Sequence, residues 1–160
     1  MLVSEFKNEE LKAMYNMMEK LHHRFLAGIR VANIAKIVKY NASRHTADIQ
    51  PLAKLSDGQV PAQLLDVPVS ENCYILDEVL NRMKSEFSKV DARVGSNLVG
   101  CLPANNLMRS GVPVAYITLD RDSDNWEVDK ANIYQPNSSR LHDINDSVVI
   151  AVFGGDAKNG

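Results

Sequence analysis

Cysteine is scarce: the chain has 160 residues and two cysteines, Cys73 and Cys101. With no CxxC pair and no Cys/His cluster at zinc spacing, a disulfide-built scaffold and a zinc module are both excluded. Two free thiols are the expectation. Net charge is also scarce, at −2 with a pI near 6.1, so the chain as a whole has no electrostatic pull on nucleic acid. Aromatic residues make up 6%, with a single tryptophan, Trp126. A barrel that binds single strands wants several aromatics on its strands among Lys and Arg, and only Tyr40 and Tyr116 fit that description. No apolar run is long enough to predict a transmembrane helix. The start, MLVSEFKNEELK, is acidic and polar, so a signal peptide is not expected and synthesis in a cytoplasm is. P-loop, GxGxxG, HExxH and GxSxG patterns are missing as well.

What is present is a chain 45% hydrophobic, enough to bury the core of one domain with an appendage. The appendage comes first. From Ser4, a plausible N-cap, to Ala27 the pattern is helical, and Gly28 stops it. Leu11, Met14, Met18, Leu21 and Phe25 step by three, four, three and four, the a/d spacing of a heptad seam. Two heptads are too short to be stable alone, so the seam must pack on this chain's own body or on copies of itself.

The body reads as strands. Ile29–Tyr40 and Thr46–Leu55 are the first two, joined by the NASRH turn, with Ala47, Ile49 and Pro51 on one face. Pro51 cannot donate to a ladder, which predicts an edge or a bulge there. Leu64–Val69 is a short third strand. Cys73–Val90 then carries apolar residues at helical spacing, from Ile75 and Leu76 through Val79, Leu80, Met83 and Phe87 to Val90. After an irregular stretch come Val112–Asp120 and, after a long acidic connection, Ser147–Phe153. Five strands, one helical excursion and no βαβ alternation predict a mainly β protein: a small antiparallel, OB-fold-like barrel with an N-terminal helix and a helical insertion. The expected division is 1–28 for the helix, 29–155 for the barrel with its insertion at about 70–111, and 156–160 for a flexible tail. The apolar run Val148–Phe153 reads as a strand buried on both faces that closes the barrel.

Three groups invite a chemical reading. Asp120, Asp122 and Asp124 begin like a calcium loop, but the sixth position is Asn125 rather than Gly and the twelfth is Ala131 rather than Glu. A solvated turn, its aspartates accepting backbone N–H groups, is the simpler account. His142–Asp143 lacks a nucleophile on a strained turn, so Asp143 or Asp146 is expected to cap the turn into the last strand. Trp126 reads as a plug that packs its loop down, or as an interface anchor. A wall-degrading hydrolase would need carboxylates such as Glu71, Asp77 and Glu78 gathered in a cleft. Metal, cofactor and catalytic residues are therefore expected to be none.

The segments AYITLDRDSDNW and PNSSRLHDINDSVVIAVFGG together resemble a known pattern. It is that of the N-terminal domain of central spike proteins from contractile-tailed bacteriophages. There a "dRDiDnW"-like turn is followed by an "R-x-H-D-x-x-D-a-i"-like segment and the last strand of an OB-fold barrel. The matching positions are Asp120, Arg121, Asp122, Asp124, Asn125 and Trp126, then Arg140, His142, Asp143, Asp146, Val148 and Val149. The first hairpin is similar too, at Ala35, Val38, Tyr40, Thr46, Ala47, Asp48 and Pro51. The resemblance implies a trimeric virion protein of the tail baseplate. It would dock under the tail-tube hub or other baseplate proteins and make transient contact with the host envelope, with no enzymatic activity and no nucleic-acid partner. Spikes of that family usually continue into a trimeric β-helix, sometimes with metal-binding histidines, and these residues contain no such needle. The helix at Cys73–Val90 and the long N-terminal helix also depart from the pattern. The rival reading is an OB-fold nucleic-acid-binding module, against which stand the seven acidic and three basic residues of Asp120–Asp146.

Overall fold

A computed structural model describes residues 2–128 and 130–154; the tail expected at 156–160 lies outside the described residues. The chain divides into two compact units, Met1–Arg30 and Val31–Gly160. The first is one α-helix, α1 (Leu2–Gly28). Ser4 lies inside this helix rather than at its N-cap, because the helical turn already begins at Leu2.

The second unit holds five strands: β1 (Ala32–Asn41), β2 (Thr46–Pro51), β3 (Leu64–Pro68), β4 (Pro113–Thr118) and β5 (Ser147–Val152). A second helix, α2 (Ile75–Val94), lies in the β3–β4 connection. The strands form a single sheet in the order β3-β2-β1-β4-β5, with every neighbouring pair antiparallel. The sheet curls into a half-barrel. Its two ends meet where Val69 bridges Val149 in parallel, Ser70 N–H donates to Val149 O at 2.9 Å and Asn72 Nδ2 donates to Ile150 O at 3.0 Å.

Alternation explains the core on β1, β2 and β4, and a register shift against β2 lets Leu64 and Val67 of β3, three residues apart, both face it. Ala35 and Ile37 on β1, Ala47 and Ile49 on β2, Leu64 and Val67 on β3, Val114 and Tyr116 on β4, and Val149 on β5 all point inward and are buried. The inward set of β1 includes Tyr40, which breaks strict alternation because the β1–β2 register shifts between Ile37 and Lys39. An extra residue at a bulge moves every later side chain to the other face. Pro51 is the last residue of β2, opposite Ala35, and lies beyond the last β2–β3 pair at Ile49, so its missing N–H costs no ladder bond. Burial pushes the Tyr40 phenol up to about 12, helped by the Tyr74 hydroxyl and the Glu78 and Asp77 carboxylates.

One expectation needs correcting. The Val148–Phe153 run is not buried on both faces: Val149 is enclosed, Val148, Ile150, Ala151 and Val152 are only half-buried, and Phe153 is exposed. The inner face of β5 closes on the core, and its outer face is only partly covered within this unit.

The carboxylates of helix α2 anchor the connection that leads on to β4. Asp77, buried in its first turn, accepts the N–H groups of Leu107 and Met108 at 2.8 and 2.9 Å. At the other end Gly95 takes a left-handed φ of 70° and donates its N–H to Asp91 O. The Asp91 carboxylate accepts Ser96 Oγ, Leu98 N and Val99 N, and these bonds hold its pKa below the ordinary value. Both cysteines are free, Cys73 buried and Cys101 exposed.

Candidate functional site

The two motif segments meet in space at Arg140. This half-buried guanidinium grips Asp146 with two bonds, Nε to Oδ2 and Nη2 to Oδ1, both 2.8 Å. Nη2 also reaches Asp124 Oδ1 at 2.7 Å and lies 3.2 Å from Asp122 Oδ1. One side chain from the second motif thus binds two aspartates of the first and one of its own.

The remaining lone pairs are taken by the turns themselves. Asp122, fully buried, accepts Ser138 Oγ at 2.6 Å and the N–H of Asp124 at 3.0 Å. Asp146, also buried, accepts the N–H and the hydroxyl of Ser123 at 2.8 and 3.0 Å. The Ser138 hydroxyl and the Asp124 N–H hold the Asp122 carboxyl below its ordinary pKa, with burial opposing. The Arg140 guanidinium does the same for Asp146, and Asp146 in return holds Arg140 protonated well above its usual range. Asp146 backbone O accepts Leu119 N–H at 2.7 Å, which joins the network to the end of β4.

Asp122, Asp124 and Asp146 are the group whose carboxylate oxygens approach closely enough, within 4.8 Å, to suggest a cation. The cation they hold is Arg140. Asp120, the first residue of the calcium-like pattern, is outside this group and faces His142, with Oδ1 3.1 Å from Nε2.

The other candidates shape the same two connections. Arg121 and Leu141 form an isolated antiparallel bridge that aligns the segments, and Arg121 Nε lies 3.8 Å from Asp120 Oδ2. His142 occupies a left-handed φ of 49°, and its N–H donates to Asp120 O at 3.4 Å. Asp143 makes the turn into β5, accepting Asn145 N–H on its carboxylate and Asp146 N–H on its carbonyl, both at 2.9 Å. Of the two capping candidates it is therefore Asp143 that caps, while Asp146 takes the guanidinium. Trp126 is half-buried, and its indole N–H donates to Lys130 O at 3.2 Å, folding the acidic loop onto itself.

The α1 seam is of a different kind. Leu11, Met14, Met18, Leu21 and Phe25 stand 46–65% exposed, with Tyr15, Met17 and Leu26 exposed beside them. At helical spacing these eight residues cover about half of the helix circumference, and the flanking Tyr15 and Met17 fall at e and g positions. In a two-stranded coil those flanks are normally charged, so an arc this wide suits three or more helices.

A further cluster had no signal in the sequence. His45, at φ 49°, stacks on Tyr74 with ring centroids 4.0 Å apart, and its Nε2 lies 3.8 Å from Glu78 Oε1. Its Nδ1 is buried without a hydrogen-bond partner. Of the carboxylates a hydrolase would need, Asp77 is taken by backbone N–H groups, Glu78 pairs with Arg82 at 3.0 Å and Glu71 is exposed.

No protein-family model matches the chain, and no curated protein is significantly similar to it in sequence. Among the described residues no helix is long and apolar enough to cross a membrane.

Proposed function

We propose that this chain is a structural protein of a contractile phage tail or phage-like particle. It is a baseplate central spike or tail-tip plug that assembles as a homotrimer through α1. It docks under the tail-tube hub and takes part in envelope penetration. It acts by association and carries no catalytic residue, metal or cofactor of its own.

The observation that carries this reading is the Arg140 network. The two segments that resemble the spike family, separated by residues 127–135, converge on one guanidinium through the aspartates that the pattern specifies. The sheet order, the helix between β3 and β4 and the parallel contact of Val69 with Val149 support an OB-fold body. The exposed α1 arc supports assembly with copies of the chain.

Antibodies against the protein, applied to contractile particles from the strain that encodes it, provide the test. Labelling confined to the baseplate end in electron micrographs is the expected result. Particles that carry the protein on the sheath or head, or lack it altogether, would overturn the assignment. Salt-sensitive binding of single-stranded DNA by a monomer would favour the nucleic-acid module instead.

A further inference from the structure

The connection from α2 to β4 is clasped to the helix at two points. Near its start the Asp91 carboxylate accepts Ser96 Oγ and the N–H groups of Leu98 and Val99. Near its end Asp77 accepts those of Leu107 and Met108. The two aspartates stand about 21 Å apart along the helix. Between the clasps the connection leaves a cleft of about 260 Å³ against α2. Leu80, Asn81 and Lys84 line it from the helix, and Leu102, Asn105 and Asn106 line it from the connection. Among the described residues, none bonds to the side-chain amides of Asn81, Asn105 and Asn106, and no carboxylate pairs with Lys84. Asp77 also borders the cleft, but both of its oxygens are turned to backbone N–H groups. Lys84 is therefore the cleft's one charge without a partner among the described residues.

We infer that this cleft binds a small hydroxylated carboxylate, the chemistry of an acidic sugar unit. The volume falls below the roughly 300 Å³ at which drug-sized pockets begin, so the occupant is about one ring in size. Each amide offers both donors and an acceptor. Hydroxyl groups use both, whereas phosphate or sulfate would leave the amide oxygens unmet. A single ammonium matches a single carboxylate. Leu80 and Leu102 supply apolar surface for the C–H face of a ring. The two clasps fix the walls before a ligand arrives, which lowers the cost of ordering them. All of these residues belong to one copy of the chain, so the inference is independent of the trimer.

The test is titration of the 160-residue chain with galacturonic acid at constant pH, followed by NMR through the side-chain amides of Asn81, Asn105 and Asn106. Saturable shifts of these resonances at millimolar ligand are expected. Lys84 is exposed and has no ion pair among the described residues, so Lys84→Ala is expected to keep the thermal unfolding and to weaken binding at least about tenfold. Galactose, which lacks the carboxylate, should bind more weakly by a similar factor, and inorganic phosphate should leave the resonances in place. A short oligogalacturonide that binds more tightly than its monomer would identify a polysaccharide as the source of the unit; equal binding would identify a free sugar acid. The inference is overturned by the absence of saturable shifts with both sugars, by undiminished binding in Lys84→Ala, or by a preference for phosphate or an acidic dipeptide.

Discussion

The α1 helix and the Asp120–Asp146 turns handle awkward surface in opposite ways. The turns bury two carboxylates, Asp122 and Asp146, and satisfy both with a guanidinium, two hydroxyls and backbone N–H groups of their own unit. Among the described residues, the helix exposes eight large apolar side chains and covers none of the five in its seam. A buried charge without a partner is intolerable within one chain, so its partners are found locally. Exposed apolar surface can be left for another molecule to cover. The turns therefore belong to the fold of one copy, and the proposed function assigns the helix to an assembly of several.

If that division is right, damage to one region should leave the other's property intact. The largest expected effect is that of Leu21→Asp. A carboxylate in the closed seam abolishes the trimer, while the barrel's thermal unfolding as a monomer stays unchanged; light scattering and calorimetry read the two separately. Next is Asp146→Ala, which strips Arg140 and Ser123 of their shared acceptor and is expected to cost about 3 kcal/mol in denaturant unfolding of the barrel. Its oligomer mass near neutral pH, under native conditions, should not change. A mass change in this variant, or a fall in barrel stability in Leu21→Asp, would dissolve the distinction between the regions.

The dependence on pH sharpens the same point. Asp122 and Asp146 have pKa values lowered by folding, so their contribution is fully present above the unfolded carboxylate value, near pH 4. It is lost as pH falls from there through the lower folded values. Unfolding measured between about pH 5 and pH 2 should show stability dropping with acid, and Asp146→Asn should flatten that slope. The smallest effect expected is that of Trp126→Phe, which removes only the indole N–H bond to Lys130 O and should cost about 1 kcal/mol or less, with no change in mass.

The positions of the elements were legible in the sequence because their periods differ. Alternation marked Ala47, Ile49 and Pro51 as one face of β2, and heptad spacing marked the α1 seam. The bulges were not legible. One inserted residue near Val38 sends Tyr40 inward with Ala35 and Ile37, and another near Ile150 shifts β5 against β4, yet neither changes the local composition. The α2 C-terminus ran past the predicted Val90 to Val94, since the stop is the left-handed Gly95 and not the end of the apolar stripe. The anchoring role of Asp77 had no sequence signal, because the N–H groups it accepts lie thirty residues away. For the turns, the residues Asp120–Trp126 and Arg140–Asp146 stood out as a pattern, but which aspartate meets the arginine is a property of the folded chain. Asp120 was grouped with Asp122 and Asp124, and space groups Asp146 with them instead.

The molar mass of the purified 160-residue chain, measured by light scattering during size exclusion at low and high salt, tests the central claim most directly. The account predicts three times 17.8 kDa at both salt concentrations, since an apolar seam is not screened. A mass of 17.8 kDa at every concentration and salt would contradict it.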